Sequence, residues 1–290
     1  MAPKQHDLRG KGQPADKTFG GLALGAAALV LLILALIAIT MTSRALPVLK
    51  HMGLGFFTST TWSEHDNQFG ALPFIWGTVY TASIAVALAV PVSLGVALFI
   101  TQVAPPKLKR PLVYLIDLLA VVPSVVFGLW GVLMLAPHLN RSFLTCGIIL
   151  AIMIVPIITS LAREVIETTA QADKEAAYAL GATRWEMIGA TVLPHSKGGI
   201  VGAVMLGLGR AMGETIAAAL VIGSSAQIAL SPLKSGDSMP AVIANQWGEA
   251  SELQKSALIG LALTLFVMTI IVNLIANRIV QRSLKKSRGA

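Results

Sequence analysis

No charged residue falls between positions 20 and 41, and five further stretches are nearly as apolar: 77–103, 112–135, 143–162, 198–223 and 256–277. Asp117 alone interrupts the second of these five, and Arg210 and Glu214 the fourth. A helix needs about 20 mostly apolar residues to cross the hydrocarbon core of a bilayer. Each run meets that length, and the first exceeds the roughly 7–15 apolar residues of a signal-peptide core. The pattern predicts an all-α polytopic membrane protein with six transmembrane helices. Composition agrees: 12% of the 290 residues are charged, against about 25% in soluble proteins, which excludes a pair of soluble domains. A single cysteine, Cys146, excludes a disulfide framework, and no Cys/His spacing suggests a metal site.

The formal charge of +8 is explained by where the cations sit. Lys4, Arg9, Lys11 and Lys17 precede the first run, Lys107, Lys109 and Arg110 follow the second, and Arg163, Lys174, Arg184 and Lys197 follow the fourth. Arg278, Arg282, Lys285, Lys286 and Arg288 end the chain. The alternate connections hold only Arg44, Lys50, Arg141, Lys234 and Lys255. The positive-inside rule therefore predicts both termini and the segment 163–197 in the cytoplasm, and no nucleic acid is needed to account for the charge. The expected organisation is a disordered cytoplasmic tail over 1–19, a first transmembrane helix over 20–42, an outer loop over 43–70, a membrane core over 71–281, and a basic tail over 282–290. A second outer loop spans 224–255.

The segment 163–197 is the most informative. Residues 172–180 are rich in helix formers, Gly181 breaks that helix, Thr183 is placed to cap a second one over 184–192, and Pro194 is expected to end it. By physics alone this is either an amphipathic hairpin on the membrane surface or a docking element. Within the spans, Arg210 and Glu214 are the residues whose burial in lipid is expensive, and such residues usually face a bundle interior. Their i,i+4 spacing predicts one helical face and an ion pair, either a structural pair or an anion contact in which the Arg fork grips oxyanion oxygens. Pro91, Pro123 and Pro156 fall inside spans and predict breaks or kinks. Gly202, Gly207, Gly209 and Gly213 predict close approach of the fifth helix to a neighbour. Asp117 reads as an interfacial pairing residue.

Certain of these residues also carry a resemblance. Glu175-Ala176-Ala177, Gly181 and Leu193-Pro194 resemble the EAA loop of permease subunits of binding-protein-dependent ABC importers, with Thr191 where Ile is usual. Pro123-Ser124-Val125-Val126-Phe127-Gly128 is similar to a stretch of phosphate-specific transport permeases that usually has Tyr in place of Phe127. Gly209-Arg210-Ala211-Met212-Gly213-Glu214-Thr215 is similar to a motif of the same permeases, and Phe69-Gly70-Ala71-Leu72-Pro73 fits as well. The match spans roughly 56–280 and is closer to the PstC-type branch than to its sister.

The resemblance implies a type I ABC importer permease (MetI-like) fold and a substrate pathway at Arg210, Glu214 and Thr215. It also implies coupling to an ATPase through Glu175, Ala176, Ala177, Gly181 and Arg184. The implied partners are a second related permease, two copies of a cytoplasmic ATPase, an extracytoplasmic phosphate-binding protein and membrane lipid, in a bacterial plasma membrane. No G-x-x-x-x-G-K-[ST] sequence occurs in the chain, so ATP and Mg are expected on the ATPase, with no cofactor and no catalysis in this chain. Another oxyanion, molybdate or sulfate, and a gradient-driven anion carrier are the competing expectations.

Overall fold

The computed structural model describes residues 14–288; the expected tail over 1–13 and the last two residues lie outside the described residues. The chain is helical, in the order α1 (Pro14–Met52), α2 (Gly55–Thr58), a two-stranded hairpin β1 (Trp62–Ser63) and β2 (Gln68–Phe69), then α3 (Leu72–Leu98), α4 (Pro106–Val121), α5 (Ser124–Trp130), α6 (Ala136–Leu139) and α7 (Phe143–Glu167). After these come α8 (Gln171–Ala179), α9 (Arg184–Met187), α10 (Leu193–Gly213), α11 (Ile216–Val221), α12 (Met239–Gln246) and α13 (Glu252–Arg288). The terminal helices begin and end beyond the apolar runs: α1 starts at Pro14 and extends ten residues into the expected outer loop, and α13 continues through the expected basic tail.

Four helical stretches are long and apolar enough to cross a membrane: Thr18–Met52, Leu72–Val103, Phe143–Glu167 and Glu252–Ala276. A bent pair, Pro106–Val121 with Ser124–Leu139, whose halves meet at 88°, is long and apolar enough only when its two halves are taken together. The remaining expected span, 198–223, is not one helix. It divides into α10 and α11 at Glu214-Thr215, so six uninterrupted spans are not observed among the described residues.

Small side chains set the core. α3 and α7 lie parallel through Ala82, Ala85 and Ala89 against Cys146, Ile149 and Met153, all buried. Ser93 bridges them beside Pro156: its hydroxyl donates to Val155 O at 3.2 Å and its carbonyl accepts from Thr159 Oγ1 at 3.4 Å. Proline removes a ladder donor, and a polar side chain of a neighbouring helix supplies hydrogen bonding at that level. α10 runs back against α7 with Gly207 over Ile158, where a Cβ would sit 2.7 Å from the Ile158 side chain. Of the four glycines expected to mediate close approach on this helix, Gly207 alone does so within the chain; Gly202, Gly209 and Gly213 face open space.

α1 shows the membrane constraint most directly. Leu22, Leu24 and Leu31 are 74%, 73% and 67% exposed, an apolar surface that only lipid or another apolar protein face can cover. Its last turns are fixed to α13 by an inserted hydroxyl. Pro47 breaks the ladder, and Ser256 Oγ accepts Val48 N–H at 3.1 Å while donating to Arg44 O at 2.9 Å. The side chain replaces the interrupted i to i−4 bond, a recognised cause of local bending.

The first turn of a helix leaves N–H groups without intrahelical acceptors. At α7 those groups are met by the last residue of α11 and by the segment between α11 and α12: Ser142 N–H donates to Val221 O at 3.1 Å, Phe143 N–H to Lys234 O at 3.1 Å, and Leu144 N–H to Pro232 O at 2.7 Å. Trp76 Nε1 and Tyr80 OH, from α3, donate to Ala229 O and Leu230 O at 3.1 and 2.7 Å. Gly236 lies so close to the Phe143 ring that a Cβ there would overlap it. Gly236→Ala is expected to destabilise the protein by about 1–3 kcal/mol, the range for overpacking a filled core. The control Gly202→Ala meets nothing within reach. Thermal unfolding of the detergent-solubilised protein checks this: a lowered midpoint for Gly236→Ala alone is the expected result.

Candidate functional site

The motif Gly209 to Thr215 sits where a helix stops inside the fold. α10 ends at Gly213, and Glu214 takes extended backbone angles (φ −69, ψ 124). The expected Arg210–Glu214 ion pair does not form, because the i,i+4 argument needs both residues on one helix and the helix ends between them. Glu214 instead caps the next one, its Oε1 accepting Ala217 N–H at 3.3 Å, and Thr215 Oγ1 donates to Gly213 O at 3.3 Å. Arg210 stands in the last turn of α10, where the helix dipole favours a cation. It is exposed and has no ion pair among the described residues.

A second break lies beside this one. α4 ends at Val121 and α5 starts at Ser124, with Val122 and Pro123 extended between them. A Cβ at Gly128 would lie 2.9 Å from Ala217 Cα, and one at Gly131 would lie 2.9 Å from the Val221 side chain. That register makes α5 and α11 parallel and brings Pro123-Ser124 level with Glu214-Thr215. Of the three prolines expected to break spans, Pro123 marks the sharp bend; Pro91 and Pro156 stay within continuous helices. Extended backbone at membrane depth is tolerated where it is buried in protein or lines a water-filled cavity. Arg210, without an ion pair among the described residues, stands in the last turn of α10, next to the break at Glu214-Thr215.

The other site is the corner at the opposite end of α7. Gly181, at φ +86, adopts the left-handed conformation that ends helices. Its N–H donates to Tyr178 O at 2.9 Å and Ala182 N–H donates to Ala177 O at 3.1 Å, the paired bonds of a Schellman motif. Thr183 then starts α9 through a capping box: Glu186 N–H donates to Thr183 Oγ1 at 3.4 Å, and Glu186 Oε2 accepts from Thr183 N–H at 2.7 Å and from its hydroxyl at 2.8 Å. The backbone and hydroxyl donors of Thr183 hold the Glu186 carboxyl below its ordinary pKa.

Pro194 does not end this helix. A π-helical stretch over Ile188–Val192 precedes it, and the chain runs helically from α9 into α10. The wider turn ahead of the proline accommodates its missing donor and its ring. Ala177 packs with Met187, Ile188 and Val192 against Ala97, Ala162 and Ile166, so the corner is fixed to α3 and α7. Glu175, Ala176 and Arg184 face outward, with Gln171 Nε2 donating to Glu175 Oε1 at 3.2 Å. Tyr178, Leu180 and Trp185, which the motif reading passed over, are 44%, 90% and 70% exposed. Their signal in the sequence was three large apolar residues within an otherwise polar hairpin.

Asp237 also went unnoticed. It is 3% exposed, between Gly236 and the start of α12, and its Oδ1 accepts Ser238 N–H at 2.8 Å. Burial pushes its carboxyl up from 3.8 to about 7, against the lowering effect of the Ser238 N–H. Its signal in the sequence is its isolation as the only acid between Glu214 and Glu249.

The fold and the sequence are both shared with known transport proteins. The solved structure of a bacterial alginate ABC transporter in complex with its alginate pentasaccharide-bound periplasmic protein has a chain similar to this one, with TM-score 0.64 and 18% identity over 92% of this chain and 95% of that one. The MetNI methionine ABC transporter in an inward facing conformation gives TM-score 0.63 and 14% identity over 77% of this chain and 99% of that one. These likenesses define the fold as that found in the membrane chains of ABC transporters. Residues 89–286 match the family model described as binding-protein-dependent transport system inner membrane component. The phosphate transport system permease protein PstC of Xylella fastidiosa strain Temecula1 is 40% identical over 98% of this chain and 95% of its own length. PstC of Haemophilus influenzae is 39% identical over 91% and 92%, and PstC 2 of Mycobacterium tuberculosis 39% over 91% and 91%. The chain belongs to the PstC family of these inner membrane components.

Two outcomes are expected. A side chain at Gly181 must adopt left-handed angles, which costs about 1–2 kcal/mol, so Gly181→Val should speed amide exchange over α8 and α9 and leave α3 and α7 unchanged. Asp237 binds its proton more tightly folded than unfolded, so its contribution to stability is complete below about 3.8 and is lost as pH rises through about 7. Asp237→Asn keeps the acceptor for Ser238 N–H and removes the titration. Thermal midpoints should fall less between pH 4 and pH 7 in this variant than in the wild type.

Proposed function

We propose that this chain is one of two permease subunits of an ATP-driven importer of inorganic phosphate. The observation that carries the reading is the pair of helix breaks at Pro123 and Glu214 with Arg210, which has no ion pair among the described residues, in the last turn of α10. The PstC names of relatives that match over nearly the whole chain support phosphate as the cargo, and the comparisons favour neither another oxyanion nor a gradient-driven carrier. Arg210 offers a planar fork of donors to phosphate oxygens. Glu214, turned away to cap α11, leaves that fork uncompensated. A single guanidinium binds a phosphate weakly enough to release it, which conduction requires. The sister permease supplies the other half of the pathway.

Both termini and the α8–α9 corner lie in the cytoplasm, as the distribution of Lys and Arg requires. There the exposed Tyr178, Leu180 and Trp185, with Glu175 and Arg184, enter a groove of a separate ATPase, one copy for each permease. ATP and Mg are bound by that ATPase, and an extracytoplasmic binding protein delivers phosphate at the end formed by the hairpin β1–β2 and the segment before α12. ATPase closure moves the corner, and because Met187, Ile188 and Val192 share one buried cluster with Ala97 of α3 and Ala162 and Ile166 of α7 the motion is passed to the helices around the breaks.

The test is labelled phosphate uptake at low external concentration in cells lacking this chain. Complementation with Arg210→Gln should lower uptake by at least about tenfold, the size expected for lost charged hydrogen bonds, while co-purification with the ATPase is unchanged. Arg210→Lys, which keeps the charge without the fork, should recover part of the activity. Uptake by Arg210→Gln equal to that of the wild type refutes the pathway role, and equal uptake with and without the wild-type chain refutes phosphate as the cargo.

A further inference from the structure

A basic pocket lies apart from both sites, where α4 leaves the second apolar run. Pro106, Lys109, Arg110, Val113 and Tyr114 follow the i, i+3, i+4, i+7, i+8 pattern of a single helix face, and Arg163 of α7 stands opposite. Together they line a cavity of about 390 Å³. Lys109 is paired with Glu167 at 2.8 Å, whereas Arg110 and Arg163 have no ion pair among the described residues. The nearby acids are thus accounted for: Glu167 is committed to Lys109, while Glu164 and Asp117, both exposed, make no ion pair among the described residues and do not line the cavity. Two guanidinium groups facing one cavity without a carboxylate repel each other, and an anion between them removes that cost.

The level of the pocket names the anion. The apolar stretch Leu72–Val103 ends just before α4, and Arg163 lies one turn before the end of Phe143–Glu167, so the cations sit where hydrocarbon gives way to headgroups. Tyr114, 69% exposed, stands at the rim, as interfacial aromatics do, and Val113 and Pro106 give the cavity an apolar wall. We propose that this pocket binds a phosphate group at the cytoplasmic membrane surface, that of an anionic phospholipid such as phosphatidylglycerol being favoured by the apolar wall over free inorganic phosphate. Paired guanidinium forks match phosphate oxygens, and basic pockets between helices on this face are suited to anionic headgroups. The inference rests on the cytoplasmic placement proposed above, but lipid retention is measured without transport and therefore fails or holds separately from phosphate uptake.

The experiment uses the assembled transporter, purified in neutral detergent and titrated separately with phosphatidylglycerol, phosphatidylcholine and inorganic phosphate, with bound species read by native mass spectrometry and equilibrium dialysis. The wild type is expected to retain phosphatidylglycerol over phosphatidylcholine. Arg110→Gln with Arg163→Gln should lower that retention by about tenfold or more, since each interfacial cation contributes severalfold, and Arg110→Lys with Arg163→Lys should keep most of it. If the double Gln variant loses inorganic phosphate and keeps phosphatidylglycerol, the phosphate group bound is the free ion. If it retains both as the wild type does, the pocket is not a phosphate site. Should that variant fail to assemble, the wild type decides: retention of phosphatidylglycerol no greater than that of phosphatidylcholine, together with no inorganic phosphate bound, overturns the proposal.

Discussion

A helix that ends within a bilayer leaves amides and carbonyls that no water can reach, and the points where this chain departs from a plain transmembrane helix within its apolar part answer that constraint. At Pro47 the answer is the Ser256 hydroxyl inserted into the ladder of α1. At the start of α7 it is the last residue of α11 and the segment between α11 and α12, whose carbonyls take up the free amides of the first turn. Beside Pro156 it is Ser93, and after Gly213 it is the carboxylate of Glu214. The same groups that satisfy the backbone fix how neighbouring helices meet, so hydrogen bonding and packing are a single problem here.

Glu214 shows how this bears on function. A carboxylate paired with Arg210 would neutralise the one strong cation of the central region. By accepting an amide of α11 instead, it stabilises the break and leaves the guanidinium available. The break and the free charge thus depend on the same residue. At the far end of α7 the corner is built in the reverse sense: local motifs, the Schellman turn at Gly181 and the capping box at Thr183, make it rigid, while Ala177 fastens it to the core. A corner built this way is fixed by contacts close in sequence, whereas the breaks depend on contacts between helices.

Much of this was legible in the chain. Four of the six apolar runs lie in helices long enough to cross a membrane, while 112–135 bends and 198–223 divides; the Gly181 and Thr183 signals mark the corner almost to the residue, because they depend on contacts between residues close in sequence. Helices α1 and α13 run past the apolar runs because polar residues continue a helix readily once the apolar part has nucleated it, so hydropathy marks the apolar part and not the helix ends. Pro194 was misread because proline reads as a helix stop unless the π turn ahead of it is known.

Sequence by itself determined the solvent in which this protein folds, the side of the membrane that its cations favour, and the local turns, since hydropathy, charge and capping act over a few residues. Only the tertiary structure decided that the break at Pro123 lies beside the break at Glu214, that Arg210 is left without an ion pair among the described residues, that Asp237 is buried, and that Arg163 faces Arg110 across a cavity. Those facts depend on which helices touch and in what register, and register is set by small residues such as Gly128, Gly131 and Gly207 fitting against partners distant in sequence. No local pattern names those partners in advance.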